Sequence, residues 1–261
     1  LLATTYFQVR LSLLKALTGV DFPAKAKLCT RVPIVVTTKL SGETKFEVYS
    51  KSKSCYVDVG SENVKKAIEN EQTQIMNDAG KCKVKNDEIR VKVCGPDHVD
   101  IIVVDLPGII NNGAEKKDVR TMIDKYVSKE QTLVLLVSEA KQDEELTYAL
   151  EVIRKHDPDA TRTVRCLTKC DTFDSEDTRA AAVRLVMEGV ENELGPHAVI
   201  CNLGGSDGDW REDEMQEMKE SFKTQEELDS GRVGVQTLKA RLPDLFAKLV
   251  NCNLPKLRDQ A

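Results

Sequence analysis

What this chain of 261 residues lacks already excludes several classes of protein. Its eight cysteines form no C-x-x-C pair, so neither a zinc ribbon nor a dithiol redox site is encoded. Its three histidines, His98, His156 and His197, are too scattered for metal-ligand spacing. The longest aliphatic runs, Ile101 to Val104 and Leu133 to Val137, fall far short of the ~20 residues of a membrane span. No charged start followed by an apolar stretch opens the chain, so no signal peptide is read. A net charge of −5 brings no basic excess, which argues against nucleic acid as a partner and against bulk attraction to membranes. The chain opens on Leu rather than Met; the expectation is a fragment, a processed product or an incomplete gene. No internal repeat or low-complexity linker is seen.

What is present is the composition of a globular protein, 41% hydrophobic and 31% charged, with thiols expected to be reduced and cytosolic. Short apolar runs alternate with long amphipathic stretches. Val99 to Val104, Thr132 to Val137, Thr163 to Leu167 and Ala198 to Cys201 each read as a strand buried on both faces. Runs of this length, each followed by a helix candidate, predict a mostly parallel sheet with helices on both sides. Arg31 to Leu40 and Lys45 to Tyr49 alternate more, and are expected to pair as edge strands. Helices are predicted over Leu11–Leu17 before a Gly19 cap, Ser61–Ala79, Asp118–Ser128, Asp143–His156, Ser175–Glu188, Asp213–Leu228 and Gly234–Cys252. Pro243 interrupts the last, so a kink or two helices are expected there.

Two short motifs stand at strand ends. Asp105-Leu106-Pro107-Gly108 follows the first buried strand. An Asp there can face Mg²⁺ through water, and the Gly can bring its N–H to a terminal phosphate; the same four residues also make a good turn. Thr168-Lys169-Cys170-Asp171 follows the strand Thr163–Leu167. A carboxylate there can accept two hydrogen bonds from the edge of guanine, which adenine cannot supply, and a Lys stem can lie along the base plane. The ordinary alternative is a helix N-cap at Asp171 or Asp174. Asn202 ends the last strand, where a third base-contacting loop would sit. Thr30, ahead of the first alternating strand, could place its hydroxyl on Mg²⁺ and its carbonyl on an attacking water, or simply begin a strand.

Taken in order, Leu17-Thr18-Gly19-Val20, Leu28-Cys29-Thr30-Arg31-Val32-Pro33, Val104-Asp105-Leu106-Pro107-Gly108-Ile109, Asp157-Pro158, Arg162-Thr163, Leu167 to Asp174 and Leu254-Pro255-Lys256-Leu257 resemble the G domain of the dynamin superfamily across nearly the whole chain. The resemblance implies an α/β, Rossmann-like P-loop GTPase fold, with a mostly parallel sheet flanked by helices. It implies a G domain over residues 1–235 and a helical segment, 236–261, leading to a bundle-signalling element and stalk. It implies binding of GTP or GDP with Mg²⁺, and hydrolysis of GTP coupled to self-assembly or membrane remodelling. Thr30 would be catalytic and a metal ligand, with Asp105 and Gly108 as the second switch. Thr168, Lys169, Asp171, Asp174 and Asn202 would hold the base and ribose, and Pro255 would mark the hinge to the bundle. The implied partners are guanine nucleotide and other G domains, with membranes or microtubules met only indirectly. The implied location is cytoplasmic, peripheral to membranes in a longer protein.

One run breaks the family pattern. A phosphate loop G-x-x-x-x-G-K-S should lead into Ser12. Instead the residues are Thr4-Thr5-Tyr6-Phe7-Gln8-Val9-Arg10-Leu11. Thr4 and Val9 replace glycines needed for close backbone approach. Arg10 replaces the lysine with a larger fork, and Leu11 replaces the hydroxyl that ligates Mg²⁺. Charge-assisted hydrogen bonds contribute about 1.5–3 kcal/mol each. Losing three or four would weaken nucleotide binding by roughly 5–10 kcal/mol. Three explanations stay open: a truncation or splicing scar joined to a sound G domain, a pseudo-GTPase kept as an interaction or scaffold module, or weak GTP binding through a changed loop.

Overall fold

The computed structural model describes residues 2–4, 7–23, 31–77, 86–107, 116–140, 150–188, 194–201 and 210–258. Among the described residues, nine strands form one sheet: β1 (Leu2–Thr4), β2 (Ile34–Leu40), β3 (Lys45–Ser50), β4 (Cys55–Asp58), β5 (Ile89–Gly95), β6 (Ile101–Asp105), β7 (Val134–Glu139), β8 (Thr163–Thr168) and β9 (His197–Ala198). Their order is β4-β3-β5-β2-β6-β1-β7-β8-β9. From β6 to β9 every neighbouring pair is parallel, and β2 and β5 are parallel to each other. β2 runs antiparallel to β6, as does β3 to both β5 and β4. The sheet is therefore mixed, with parallel pairing predominant.

Among the described residues, the bounded helices are α1 (Phe7–Thr18), α2 (Val64–Asn77), α3 (Lys116–Val127), α4 (Glu176–Glu188), α5 (Trp210–Ser221), α6 (Gln225–Leu228) and α7 (Val235–Arg258); residues 150–154 are helical too, while the rest of the expected helix before them, 143–149, lies outside the described residues. β7 shows how they sandwich the sheet. Leu135 and Val137 enter the main core with Leu13, Leu14 and Leu17 of α1 and Leu238 and Leu242 of α7. Val134 and Leu136 point the other way, into a core with Val119, Met122 and Ile123 of α3. A period of two thus feeds two cores, the mark of a strand covered on both faces. A third cluster joins Leu167 of β8 to Val183 and Val186 of α4 and Met218 of α5.

Several expectations change in detail. β2 and β3 are not edge strands and do not pair with each other, because β5 lies between them. Its alternation, Ile89-Arg90-Val91-Lys92-Val93, buries every second residue. β6 is not buried on both faces: Ile102 is 66% exposed, since the α3 core reaches Val104 but not Ile102. β9 is shorter than expected. The predicted helix Asp213–Leu228 is two, divided where Thr224 and Glu227 form a reciprocal capping box that starts α6. Conversely, α7 is a single helix with Pro243 and Pro255 inside its bounds, rather than two helices. Its Leu238, Leu242 and Leu245 are buried in the main core, so this part of the helix packs on the domain. Gly19 ends α1 as expected, at φ +71° with its N–H bonded to the Lys15 carbonyl.

The pair Asp157 and Arg162 turns out to be architectural. Asp157 accepts from the N–H of Thr161 and of Arg162 and from the Thr163 hydroxyl. The Arg162 guanidinium donates to the carbonyls of Val127, Lys129, Thr132 and His156. One side chain thereby closes the orphan carbonyls at the end of α3 against the strand β8.

Candidate nucleotide site

The sheet order brings the carboxyl ends of β6, β7 and β8 alongside the junction of β1 and α1. In an open parallel sheet this edge is where ligands bind. It divides into two ends.

At the first end stand Asp105 and Arg10. Asp105 is the last residue of β6, and β1 pairs beside it, Leu2 opposite Asp105. β1 ends at Thr4 and α1 begins at Phe7, so Arg10 belongs to the first turns of a helix. Both side chains are wholly buried, and Arg10 Nε lies 2.9 Å from Asp105 Oδ1. A second guanidinium nitrogen, Nη1, donates to the carbonyl of Leu106. Arg10 thus holds both the carboxylate and the backbone that follows it. Leu11, the next residue, is buried in the main core. Nothing in the sequence pattern pointed to the Arg10–Asp105 contact, which joins residues far apart in the chain.

At the second end stands the turn after β8. Lys169 has φ +56°, a left-handed conformation that costs a non-glycine residue energy and here reverses the chain. Cys170 is fully buried, and the Ser221 hydroxyl donates to its carbonyl. Thr172 closes the turn, donating from N–H and hydroxyl to the Lys169 carbonyl. With Cys170 anchored inward, Lys169 and Asp171 on either side are exposed. The Lys169 ammonium pairs with Glu139 at the end of β7, a partner the sequence reading missed. Thr168 is buried and its hydroxyl donates to the Ser138 carbonyl at 2.9 Å, so its side chain ties β8 to β7. Asp174 is exposed nearby. The N-cap of α4 is Ser175, whose hydroxyl accepts from the Thr178 N–H, so neither Asp171 nor Asp174 is the cap.

Beneath this turn the polar groups are internal. Glu214 of α5 accepts from the N–H of Ile200, at 3.1 Å, and of Val235, at 3.0 Å. It thereby joins the segment after β9 to the start of α7. Burial raises its pKa. His197 is buried, donates from Nε2 to the Gly234 carbonyl at 2.8 Å and accepts at Nδ1 from Arg241. Burial pushes its pKa down to about 4. The Cys170 thiol is pushed up to about 12 by burial, which removes it as a nucleophile.

Thr30, Gly108 and Asn202 lie outside the described residues. The structure therefore brings Asp105 to one end of the edge and Lys169, Asp171 and Asp174 to the other. The described residues at the first end do not fit Mg²⁺. The ion requires oxygen ligands in near-octahedral geometry, yet position 11 offers an alkyl chain and Asp105 is bonded to a buried guanidinium.

Comparison with known sequences shows the family. The sequence pattern of the Dynamin family matches residues 12–170, beginning at the residue after Leu11. The chain is 26% identical over 267 residues to the interferon-induced GTP-binding protein Mx of Gallus gallus, covering 95% of this chain and 37% of that protein. It is 28% identical to Mx2 of Ovis aries, covering 95% and 36%. With the Mx protein of Perca fluviatilis it shares 30% identity over 71% of this chain and 62% of that protein. The chain thus spans about two fifths of the length of the first two relatives. Among the described residues, no helix is long and apolar enough to cross a membrane.

Proposed function

The chain belongs to the dynamin family, and from that premise we propose that it is a guanine-nucleotide-binding G domain whose hydrolytic end is disabled. The observation that carries the binding half is the turn after β8, which exposes Asp171 and Lys169 on either side of the buried Cys170. The two Asp171 oxygens can accept from the ring N–H and the exocyclic amine of guanine together. The Lys169 stem, held at its tip by Glu139, is ordered for stacking along the base. Asp174, exposed after the turn, and Asn202 would contribute to base or ribose.

Two observations support a disabled phosphate end. Arg10, in the lysine's place, is buried against Asp105. Leu11 offers no hydroxyl. Thr30 would orient the water by resemblance; among the described residues at this end, neither Arg10 nor Leu11 is a free donor for developing charge. The division into residues 1–235 and 236–261, self-assembly through parts beyond this chain, and indirect contact with membranes or microtubules complete the reading.

A second reading, an interaction or scaffold module that binds no nucleotide, is favoured by the Arg10–Asp105 pair, because both charges are wholly buried, out of a ligand's reach. Titration calorimetry separates the two. Micromolar binding of GDP or GTP, not of ATP, abolished in Asp171→Ala, supports the G-domain reading. Absence of heat with any nucleotide at high micromolar protein supports the module. Turnover of GTP at rates typical of this family would overturn the disabled end.

A further inference from the structure

We infer that Arg10 stands in for the divalent cation in this chain, so that the site takes its ligand without Mg²⁺. Four features converge on this. Asp105, the carboxylate that faces the metal in this fold, is wholly buried, and so is its guanidinium partner, 2.9 Å away. The same guanidinium bonds the Leu106 carbonyl, so Arg10 is fixed at two points. It projects from the first turns of α1, whose next residues Leu11, Leu13 and Leu14 are locked in the core. Leu11 removes the other oxygen ligand.

The electrostatics favour the guanidinium over the ion. One carboxylate brings one negative charge, and Arg10 already neutralises it. A divalent ion at the same carboxylate would meet a fixed positive charge within a few ångströms, inside a medium that screens poorly. Displacing Arg10 would strand its charge where no water reaches, which proteins avoid. Mg²⁺, which gives up its own water reluctantly, gains too little from a single neutralised carboxylate to offset this. A guanidinium also keeps its charge at every accessible pH, so the substitution is permanent.

The metal half of this inference stands without the guanine reading; only the choice of ligand rests on that reading. The test uses the whole chain and Mn²⁺ as a spectroscopic probe for Mg²⁺. Electron paramagnetic resonance of Mn²⁺ titrated with protein, alone and with excess GDP, is expected to show no protein-bound ion beyond what GDP itself binds. In parallel, GDP affinity measured by calorimetry is expected to change by less than about threefold between millimolar Mg²⁺ and EDTA. One bound Mn²⁺ per chain, lost in Asp105→Asn, would overturn the inference. So would a tightening of GDP by Mg²⁺ of about tenfold or more, because Arg10 would then have yielded Asp105 to the metal. If no guanine nucleotide binds with or without Mg²⁺, the guanine reading fails, and Mn²⁺ binding by the nucleotide-free chain still decides the role of Arg10.

Discussion

At the end of β6 the ionisable groups are buried against each other; at the end of β8 Lys169 and Asp171 are exposed, with the Lys169 ammonium paired to Glu139. Arg10 and Asp105 form a closed pair within the domain, whereas the turn around Cys170 holds Lys169 and Asp171 toward solvent. The same sheet edge thus carries one half buried in the domain and one half that a ligand can reach. A binding site requires polar groups within reach of its ligand. A pair buried to this degree has become part of the core.

The contrast can be broken or sharpened by measurement, and Arg10→Ala should have the largest effect. It removes the guanidinium from beside the buried Asp105, and urea unfolding should show a loss of about 3–5 kcal/mol. A loss no larger than that of a surface substitution would mean the pair is not the closed unit described. The double variant Arg10→Met with Asp105→Leu should recover that loss and come out neutral or more stable by roughly 1–4 kcal/mol. If it is as unstable as the single variant, the pair contributes something that packing cannot replace.

A smaller effect is expected from pH at the base end. The folded-state pKa of His197 is depressed by burial to about 4 from a usual 6.5. The neutral form is therefore favoured by folding, and its contribution is fully present above pH 6.5. It is lost as pH falls through the window from 6.5 to about 4, an effect on the order of 3 kcal/mol. Urea melts across that window should slope downward toward acid, and His197→Gln should flatten the slope. The buried Glu214, whose pKa is raised, works in the opposite sense: its contribution is greatest at low pH and falls as pH rises through its folded pKa. A slope unchanged in His197→Gln would assign the acid sensitivity elsewhere.

The smallest effect on the fold should come from Asp171→Ala. An exposed turn residue off the core should leave the melting curve unmoved, while the preference for GDP over ADP drops by about tenfold or more. A clear loss of stability with nucleotide preference intact would make the turn structural and remove the contrast.

Much of this was legible in the chain itself. The buried strands at Leu133–Val137 and Thr163–Leu167 and the cap at Gly19 follow from local pattern, because burial on two faces leaves unbroken aliphatic runs and a helix end needs φ above zero. The placement of Asp105 and Asp171 at strand ends was readable for the same reason. β5 was passed over, although its alternation is clear, and this misplaced β2 and β3 at an edge. The Glu139–Lys169 pair and the Arg10–Asp105 pair left no trace in local pattern.

The sequence by itself determined the family, the class of fold and the break in pattern from Thr4 to Leu11, since each is a matter of residue type at fixed spacing. Only the tertiary structure decided what that break means at its centre. Whether Arg10 reaches outward to a phosphate or inward to Asp105 depends on how α1 packs against the ends of β1 and β6. Those elements meet through contacts nearly a hundred residues apart in the chain, and local pattern carries no information about which of two partners a buried charge will face.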